Sequence, residues 1–147
     1  MKNLRTSVCP LRSGSSGNSV LIAGQSTRLL IDAGVTCRTV ERALQEVDQD
    51  PGQIDALLVT HEHSDHISGI GVLMRRYHLP LYVNQKTWLA MRAAVDPVDE
   101  DLVHIIEQGQ SLTIGDFNIV SFSTPHDASD PVGYRIRTED GDVTLMT

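Results

Sequence analysis

Four residues that can bind metal ions lie close together in the middle of the chain. His61, His63, Asp65 and His66 occur in the run Thr60-His61-Glu62-His63-Ser64-Asp65-His66. In an extended segment His61 and His63 leave the same face of the backbone, so both imidazoles can converge on one ion. For any one of these residues alone, a hydrogen-bonded core histidine or a helix cap is the better interpretation. For the whole run it is a poor one, because crowded imidazoles are electrostatically unfavourable without a cation between them.

The elements on either side place this run at the end of a strand. Residues 54–60 contain a continuous apolar stretch bounded by turn residues, which predicts a strand covered on both faces. Residues 66–77 carry apolar side chains at helical spacing and predict a helix, although Gly69 and Gly71 interrupt it. Sites in sheets of this kind form at the carboxyl ends of strands. We therefore expect the four side chains to share one crevice.

The rest of the chain alternates strands and helices early and forms hairpins late. A helix capped by Thr36 is predicted to end at Asp50-Pro51-Gly52, and a second is predicted at Gln85–Val95. This order predicts a layered α/β (α+β) fold. The other predicted strands are Ser19–Ala23, 28–32, 80–83, 103–106, Ser111–Ile114, 118–123, 133–137 and 142–146.

The composition indicates one folded domain with no general attraction for polyanions. With 147 residues, 40% of them hydrophobic, residues 1–147 are predicted to form a single domain. The 12 basic and 19 acidic residues give a net charge of −7, so an anionic substrate would need bound metal or local positive charge. The candidates for local charge are Lys2, Arg5, Arg12, Arg75 and Arg76.

The cysteines and the start of the chain favour a cytoplasmic protein. Cys9 and Cys37 are far apart and outside any metal-binding spacing, so two reduced thiols are expected, with a disulfide as the alternative. The first residues contain no apolar core of signal-peptide length, and no stretch approaches the roughly 18 apolar residues of a membrane span. We expect a soluble, cytoplasmic protein without a membrane partner.

The histidine run resembles the signature of the metallo-β-lactamase superfamily. Three further stretches are similar to its YycJ/WalJ-like branch, and the resemblance covers nearly the whole chain. It implies a metallo-β-lactamase αββα sandwich, of which this chain would contain the N-terminal part only. The stretches are Ser13-Gly14-Ser15-Ser16-Gly17-Asn18-Ser19, Leu30-Ile31-Asp32-Ala33-Gly34, and Ser123-Thr124-Pro125-His126-Asp127-Ala128 followed by Asp130-Pro131-Val132-Gly133-Tyr134.

The resemblance also implies a ligand set for two divalent metals. His61, His63 and His126 would bind one metal, and Asp65 and His66 the other, with Asp65 also aligning the attacking water. Zinc or manganese is expected, with iron as a further candidate. The family's bridging aspartate and last histidine are expected beyond Thr147, so the domain is predicted to be incomplete at its C-terminus. His78 and His104 match nothing in the family pattern.

Two more features carry predicted roles in the site, each with an alternative. Asp32 resembles the family's buried aspartate, which lies behind the ligands and orients a histidine, but it could equally be a turn-forming residue before Ala33-Gly34. Ser15, Ser16 and Asn18 are candidates for binding substrate, because the corresponding loop of relatives lies near the mouth of the site. An ordinary flexible turn is the competing interpretation, and no P-loop motif is present.

The function implied by the resemblance is hydrolysis by a metal-activated water. The branch implies a phosphodiesterase or nuclease, similar to a DNA exonuclease, with nucleic acid or another phosphodiester as substrate. One alternative is a hydrolase of a thioester, lactone or other carboxyl derivative. The other is a catalytically inactive metal-binding fragment. Substrate polarity and oligomeric state are not predicted.

Overall fold

The strands of the first two thirds of the chain form one mixed sheet. In the computed structural model, which describes residues 6–147, the strand order is β1-β2-β3-β4-β5-β6. β1, β2 and β3 pair antiparallel, whereas β3 to β6 run parallel because helical segments connect them. The strands are Ser7–Arg12 (β1), Ser19–Ala23 (β2), Arg28–Ile31 (β3), Ala56–Leu58 (β4), Leu81–Val83 (β5) and Val103–Ile105 (β6).

The α-helices cover one face of this sheet. Thr36 and Asn84 cap the first and last helix, because each side chain accepts a hydrogen bond from the backbone N–H three residues further on. The first helix buries Val40, Ala43 and Leu44 against apolar side chains of the sheet. The helices are Cys37–Glu46 (α1), Ser64–Ile67 (α2), Ile70–Tyr77 (α3) and Gln85–Val95 (α4), with short 3-10 helices at Pro51–Gln53 and Glu100–Leu102.

A second, antiparallel sheet packs on the other face of the first. Phe117, Ile119, Tyr134 and Ile136 are buried and form a core with the side chains of β2 to β4 that point away from the helices. Helices and two sheets therefore form three layers in the described residues. This confirms the predicted layered α/β fold and matches the first three layers of an αββα sandwich. The strands are Ser111–Ile114 (β7), Phe117–Ser123 (β8), Val132–Thr138 (β9) and Gly141–Leu145 (β10), in the order β10-β9-β8-β7.

Most of the predicted elements are present, but one strand was missed. β2, β7 and α4 have the predicted bounds, and the other predicted strands differ by one or two residues at their ends. β1 was not predicted. In β1 only Leu11 is buried, and the strand contains Pro10, so neither alternation nor β-propensity marked it. It is an edge strand held by its pairing with β2.

The prediction of one helix over residues 66–77 is wrong, because the structure has two helices in this region. α2 begins at Ser64, so Asp65 and His66 lie in its first turn, and the chain then breaks at Gly69 before α3. The backbone N–H of Gly69 donates to Ala33 O at 2.8 Å instead of continuing the helix. A Cβ atom on Gly69 would lie 2.1 Å from Val35 O. The break therefore lets the helical segment pack directly on the loop after β3.

Two further predictions concern the cysteines and the membrane. Cys9 lies in β1 and Cys37 at the start of α1, and both thiols are unpaired. Within residues 6–147, no helix has the length and apolar character needed to cross a bilayer.

Candidate metal centre

Three histidines from two distant segments converge at the carboxyl end of β4. His61 and His63 follow β4, and His126 lies in the loop between β8 and β9. Each offers one ring nitrogen, and these nitrogens lie within 4.8 Å of one another. The centroid of the His61 ring is 4.7 Å from that of His63 and 4.3 Å from that of His126. The structure thus brings together the three residues that the resemblance implied for the first metal.

Asp32 is fully buried behind this group and accepts three hydrogen bonds. It follows β3 in a left-handed conformation, with φ of 62°, which Asp tolerates better than most residues. Its Oδ1 accepts from the backbone N–H of Thr60 at 2.8 Å. Its Oδ2 accepts from the Thr60 hydroxyl and from His66 Nδ1, both at 2.7 Å. Asp32 therefore contacts His66 directly and reaches His61 through Thr60.

These hydrogen bonds define the tautomer of His61. The single proton of the Thr60 hydroxyl is donated to Asp32, since a carboxylate can only accept. The Thr60 oxygen must then accept from His61 Nδ1, which lies 3.0 Å away. With its proton on Nδ1, neutral His61 has a free lone pair on Nε2. The network therefore leaves Nε2 of His61 able to bind a metal ion.

The electrostatics of His61 fit a bound cation. His61 Nε2 is buried and has no hydrogen-bond partner among the described residues. Burial, followed by the neighbouring rings of His66, His126 and His63, lowers the pKa of His61 from 6.5 to about 4. The ring is thus neutral near pH 7, as a metal ligand must be. A divalent metal would give Nε2 the partner it lacks, so the residues present fit such an ion.

Asp65 and His66 lie beside this group on α2. His66 Nε2 is 3.8 Å from Asp65 Oδ2, and the ring centroid of His66 is 4.1 Å from that of His61. Burial disfavours protonation of His66, but the hydrogen bond to Asp32 and the charges of Asp32 and Asp65 outweigh it, so the pKa of the ring is raised. Because its Nδ1 donates to Asp32, the neutral ring of His66 has its lone pair on Nε2, which lies beside Asp65. This arrangement can contribute two ligand atoms to a second cation.

The serine-rich loop reaches the site through Asn18. The Asn18 amide Nδ2 lies 2.9 Å from Gly14 O, 3.2 Å from His66 Nε2 and 3.4 Å from Asp65 Oδ2. The backbone N–H of Asn18 also donates to Asp65 O at 2.8 Å. Ser15 and Ser16 lie at the exposed tip of the loop. Asn18 therefore holds the loop against α2, and the two serines are exposed to solvent.

The two remaining histidines lie outside the metal centre. His78 ends α3 in a left-handed conformation and is exposed, and the ring of His104 stacks on Tyr82 at a centroid distance of 4.8 Å.

Sequence reasoning assigned no role to Thr60 or Glu62, although both lie in the histidine run. Thr60 connects Asp32 to His61, and Glu62 accepts hydrogen bonds from Ser129. Burial opposes ionisation of Glu62, but hydrogen bonds from its own backbone N–H and from Ser129 outweigh it, so the pKa of this carboxyl is lowered. No local pattern reveals these contacts, because the partners of Thr60 and Glu62 lie far away in the sequence.

In the described residues, the protein has one layer of helices and two sheets, with a histidine cluster at the carboxyl end of a strand. This combination is typical of a class of metal-binding α/β proteins. The sequence matches the Metallo-beta-lactamase superfamily over residues 12–146, and the chain belongs to that superfamily. The family implies binding of a divalent metal, which the geometry of the three histidines fits.

The chain is similar to individual members of this superfamily over most of its own length. The chain is 45% identical to Exodeoxyribonuclease WalJ of Streptococcus pneumoniae and 38% identical to Exodeoxyribonuclease YycJ of Bacillus anthracis, each over 93% of its length. It spans about half of both relatives, 52% of each. The solved structure of the MIM-2 metallo-beta-lactamase superposes with a TM-score of 0.77 at 18% identity, covering 99% of this chain and 59% of that one. This last likeness supports the fold alone.

Proposed function

We propose that this protein is a metal-dependent phosphodiesterase that acts on nucleic acid in the manner of a DNA exonuclease. The observation that carries the proposal is the convergence of His61, His63 and His126 beside Asp65 and His66. It occurs in a chain 45% identical to an exodeoxyribonuclease. The chain spans about half of that relative, so we propose this activity for the chain on the strength of its own site.

The residues divide into two groups of metal ligands. His61, through Nε2, would bind one cation together with His63 and His126, and Asp65 and His66 would contribute to a second. Imidazole and carboxylate ligands suit zinc, manganese and iron. When bound, such cations lower the pKa of water toward about 7 and neutralise the charge that grows on a phosphoryl oxygen during hydrolysis.

The chain's own residues orient the metal-binding groups and accept a proton from the attacking water. Asp32 and Thr60 hold His61 and His66 in the tautomers that present Nε2 to the site. Asp65 is partly exposed, with 34% of its side chain accessible, so its carboxylate can contact a water at the mouth of the site. We assign to Asp65 the orientation of this water and the acceptance of its proton at a carboxylate oxygen.

Local positive charge for a polyanion is limited among the described residues. Arg75 donates to Val95 O and Pro97 O, and Arg76 pairs with Glu41, so both side chains are engaged in contacts within the protein. Arg12 is exposed and directly precedes the Ser13 loop, which makes it the candidate for contacting a phosphate near the site. Lys2 and Arg5, the other candidates from the sequence, lie outside the described residues.

The proposal is tested by assaying the metal-reconstituted protein on two classes of ester. End-labelled DNA and bis(p-nitrophenyl) phosphate represent phosphodiesters, and a thioester and a β-lactam represent carboxyl derivatives. We expect cleavage of the phosphodiesters only with zinc or manganese present. Turnover of the carboxyl derivatives alone would instead favour the alternative substrate class. Bound metal without any turnover would favour a metal-binding fragment.

Two variants provide the matched comparison. His63→Ala removes a proposed ligand and should abolish both metal binding at the three-histidine site and hydrolysis. His78→Asn removes an exposed imidazole away from the site, and Asn tolerates the left-handed conformation at this position. Equal loss of metal in both variants would contradict the ligand assignment.

We also propose a cytoplasmic location. The unpaired state of Cys9 and Cys37 supports it, because a reducing compartment keeps thiols free. Protein denatured in acid directly from cells and then alkylated should be labelled at both thiols, and incomplete labelling would count against this location.

A further inference from the structure

Glu62 connects the two segments that supply the three histidines. It lies between His61 and His63, and its Oε2 accepts two hydrogen bonds from one residue of the His126 loop. The donors are the backbone N–H of Ser129 at 2.9 Å and the Ser129 hydroxyl at 2.8 Å. Both donors therefore bind a single oxygen atom of a carboxylate that is 67 residues away in the sequence.

The loop that carries His126 has little else to position it at this point. Its internal hydrogen bonds run from Thr124 N to Pro131 O, which closes the base of the loop, from His126 N to Thr124 O and from Ala128 N to His126 O, all at 3.1 Å. The His126 side chain is exposed. These local bonds shape the loop but do not determine how far His126 stands from His61 and His63.

Two other contacts hold only the far end of the loop. Asn84 Nδ2 donates to Asp130 O at 2.8 Å, and Val132 N donates to Thr60 O at 3.0 Å. Both lie at or beyond Asp130, nearer to β9 than to His126. The Glu62 contact is therefore the tie nearest to His126 that joins the loop to the histidine run in the described residues.

The chemistry of this tie suits a positioning role. Hydrogen bonds to an ionised carboxylate are stronger than neutral ones, so they can hold an exposed loop in one arrangement. The three ring nitrogens must stay within a few tenths of an ångström of their required distances to bind one ion. If the loop moved, His61 and His63 would stay in place, but His126 would reach the ion only part of the time.

We propose that Glu62 is a positioning residue that sets the distance of His126 from His61 and His63 by holding Ser129. Glu62 itself makes no contact with the cation. The inference rests on the proposed metal site, since it concerns how that site keeps its third imidazole. It predicts that metal affinity depends on the Glu62–Ser129 contact, even though neither side chain is a ligand.

The test measures cobalt(II) or zinc(II) affinity by competition with a chromophoric chelator, together with the visible absorption of the cobalt form. Glu62→Ala should weaken binding about 10- to 100-fold and alter the cobalt spectrum, as loss of a residue that orients ligands does. Glu62→Gln keeps an oxygen that can accept from both Ser129 donors, so it should retain most of the affinity. Glu46→Ala, on the exposed end of α1, is the control and should change nothing.

A double-mutant cycle with Ser129→Ala identifies the contact itself. Ser129→Ala should weaken metal binding in the wild-type background but have little further effect when Glu62 is already Ala. Equal affinity of Glu62→Ala and wild type, or independent effects of the two substitutions, would overturn the proposal. Should Glu62→Ala fail to fold, the metal affinities of Glu62→Gln and Ser129→Ala test the proposal. Equal affinity of Ser129→Ala and wild type would then overturn it. If the wild type binds no metal, the proposed function fails instead, so the two failures are distinguishable.

Discussion

At the scale of single residues, Thr60 shows how a side chain that is not a ligand can determine what a ligand does. Its hydroxyl donates to Asp32 and accepts from His61 Nδ1, so it transmits the position of a buried carboxylate to a ring one residue away. Thr60 is completely buried, and water cannot replace these bonds. The free Nε2 of His61 follows from this arrangement.

Replacing Thr60 by Val tests that link, because Val has the same shape without the hydroxyl. We expect metal affinity to fall about 10- to 100-fold, since His61 loses the acceptor that fixes its tautomer. We expect the free energy of unfolding to fall by about 1–3 kcal/mol, since Asp32 loses a buried donor. Chelator competition and urea unfolding measure the two effects. Thr60→Ser keeps the hydroxyl, and a metal affinity as low as that of the Val variant would argue against the mechanism.

The low pKa of His61 predicts a dependence of stability on pH in protein stripped of metal. The folded pKa of about 4 is below the ordinary 6.5, so the unfolded chain binds this proton more readily. Stability contributed by His61 is therefore present above pH 6.5 and lost as the pH falls toward 4. Urea unfolding at pH 7 and pH 4.5 should show a larger loss for wild type than for His61→Asn. The pKa of His66 is shifted in the opposite direction, but His66 is present in both wild type and His61→Asn. Equal losses of unfolding free energy in these two proteins would refute the prediction.

At the scale of elements, the first turn of α2 is placed by a close backbone contact with the loop after β3. A Cβ atom on Gly34 would lie 1.7 Å from Asp65 O, so only glycine fits there. Ala33 N donates to His66 O at 2.9 Å beside this contact. The loop that begins with Asp32 thus supports both candidate ligands of α2, Asp65 and His66.

Gly34→Ala should therefore displace α2 as well as destabilise the fold. We expect a loss of about 3 kcal/mol or more in unfolding free energy, because the obstructing atoms are backbone and cannot rotate away. Metal binding that involves Asp65 and His66 should fall in the same variant. Gly52→Ala is the matched control, since its Cβ would meet Asp50 Oδ1 at an ordinary 3.4 Å. Similar unfolding free energies for the two variants would show that the contact is not as tight as the structure has it.

At the scale of the whole molecule, the metal centre depends on the packing of one sheet on the other. β4 supplies His61 and His63, whereas His126 comes from the second sheet's β8–β9 loop. Tyr134 in β9 is fully buried and donates its hydroxyl to Val59 O at 2.6 Å, just before the histidine run. This hydrogen bond fixes the second sheet against the segment that leads from β4 to His61 and His63.

Tyr134→Phe removes that bond while keeping the ring. The Val59 carbonyl would lose its tyrosine donor in the interior, so we expect a loss of about 1–3 kcal/mol in unfolding free energy. Because the two sheets carry different histidines, we also expect weaker metal binding. Thermal or urea unfolding and metal titration measure these effects. Tyr82→Phe, at the half-buried position of β5, is the control, and an equal cost there would contradict a special role for Tyr134.

The sequence alone predicted most of the elements and most of the candidate ligands. The apolar run before Thr60, the alternation of His61 and His63, and the cap at Thr36 are local patterns, and periodicity reveals such patterns directly. Asp65 and His66 were found in the same way. His126 came from resemblance to the family, because nothing in its own neighbourhood distinguishes it from a surface histidine.

Only the tertiary structure decided how these residues act together. The contact between Glu62 and Ser129 and the one between Thr60 and Asp32 join segments 67 and 28 residues apart. The break at Gly69 was also decided by a distant partner, Ala33 O. Local propensity cannot specify such contacts, because they arise when separate elements pack and their buried polar atoms find partners. The sequence predicted the candidate ligands, and the packing of the two sheets set their geometry.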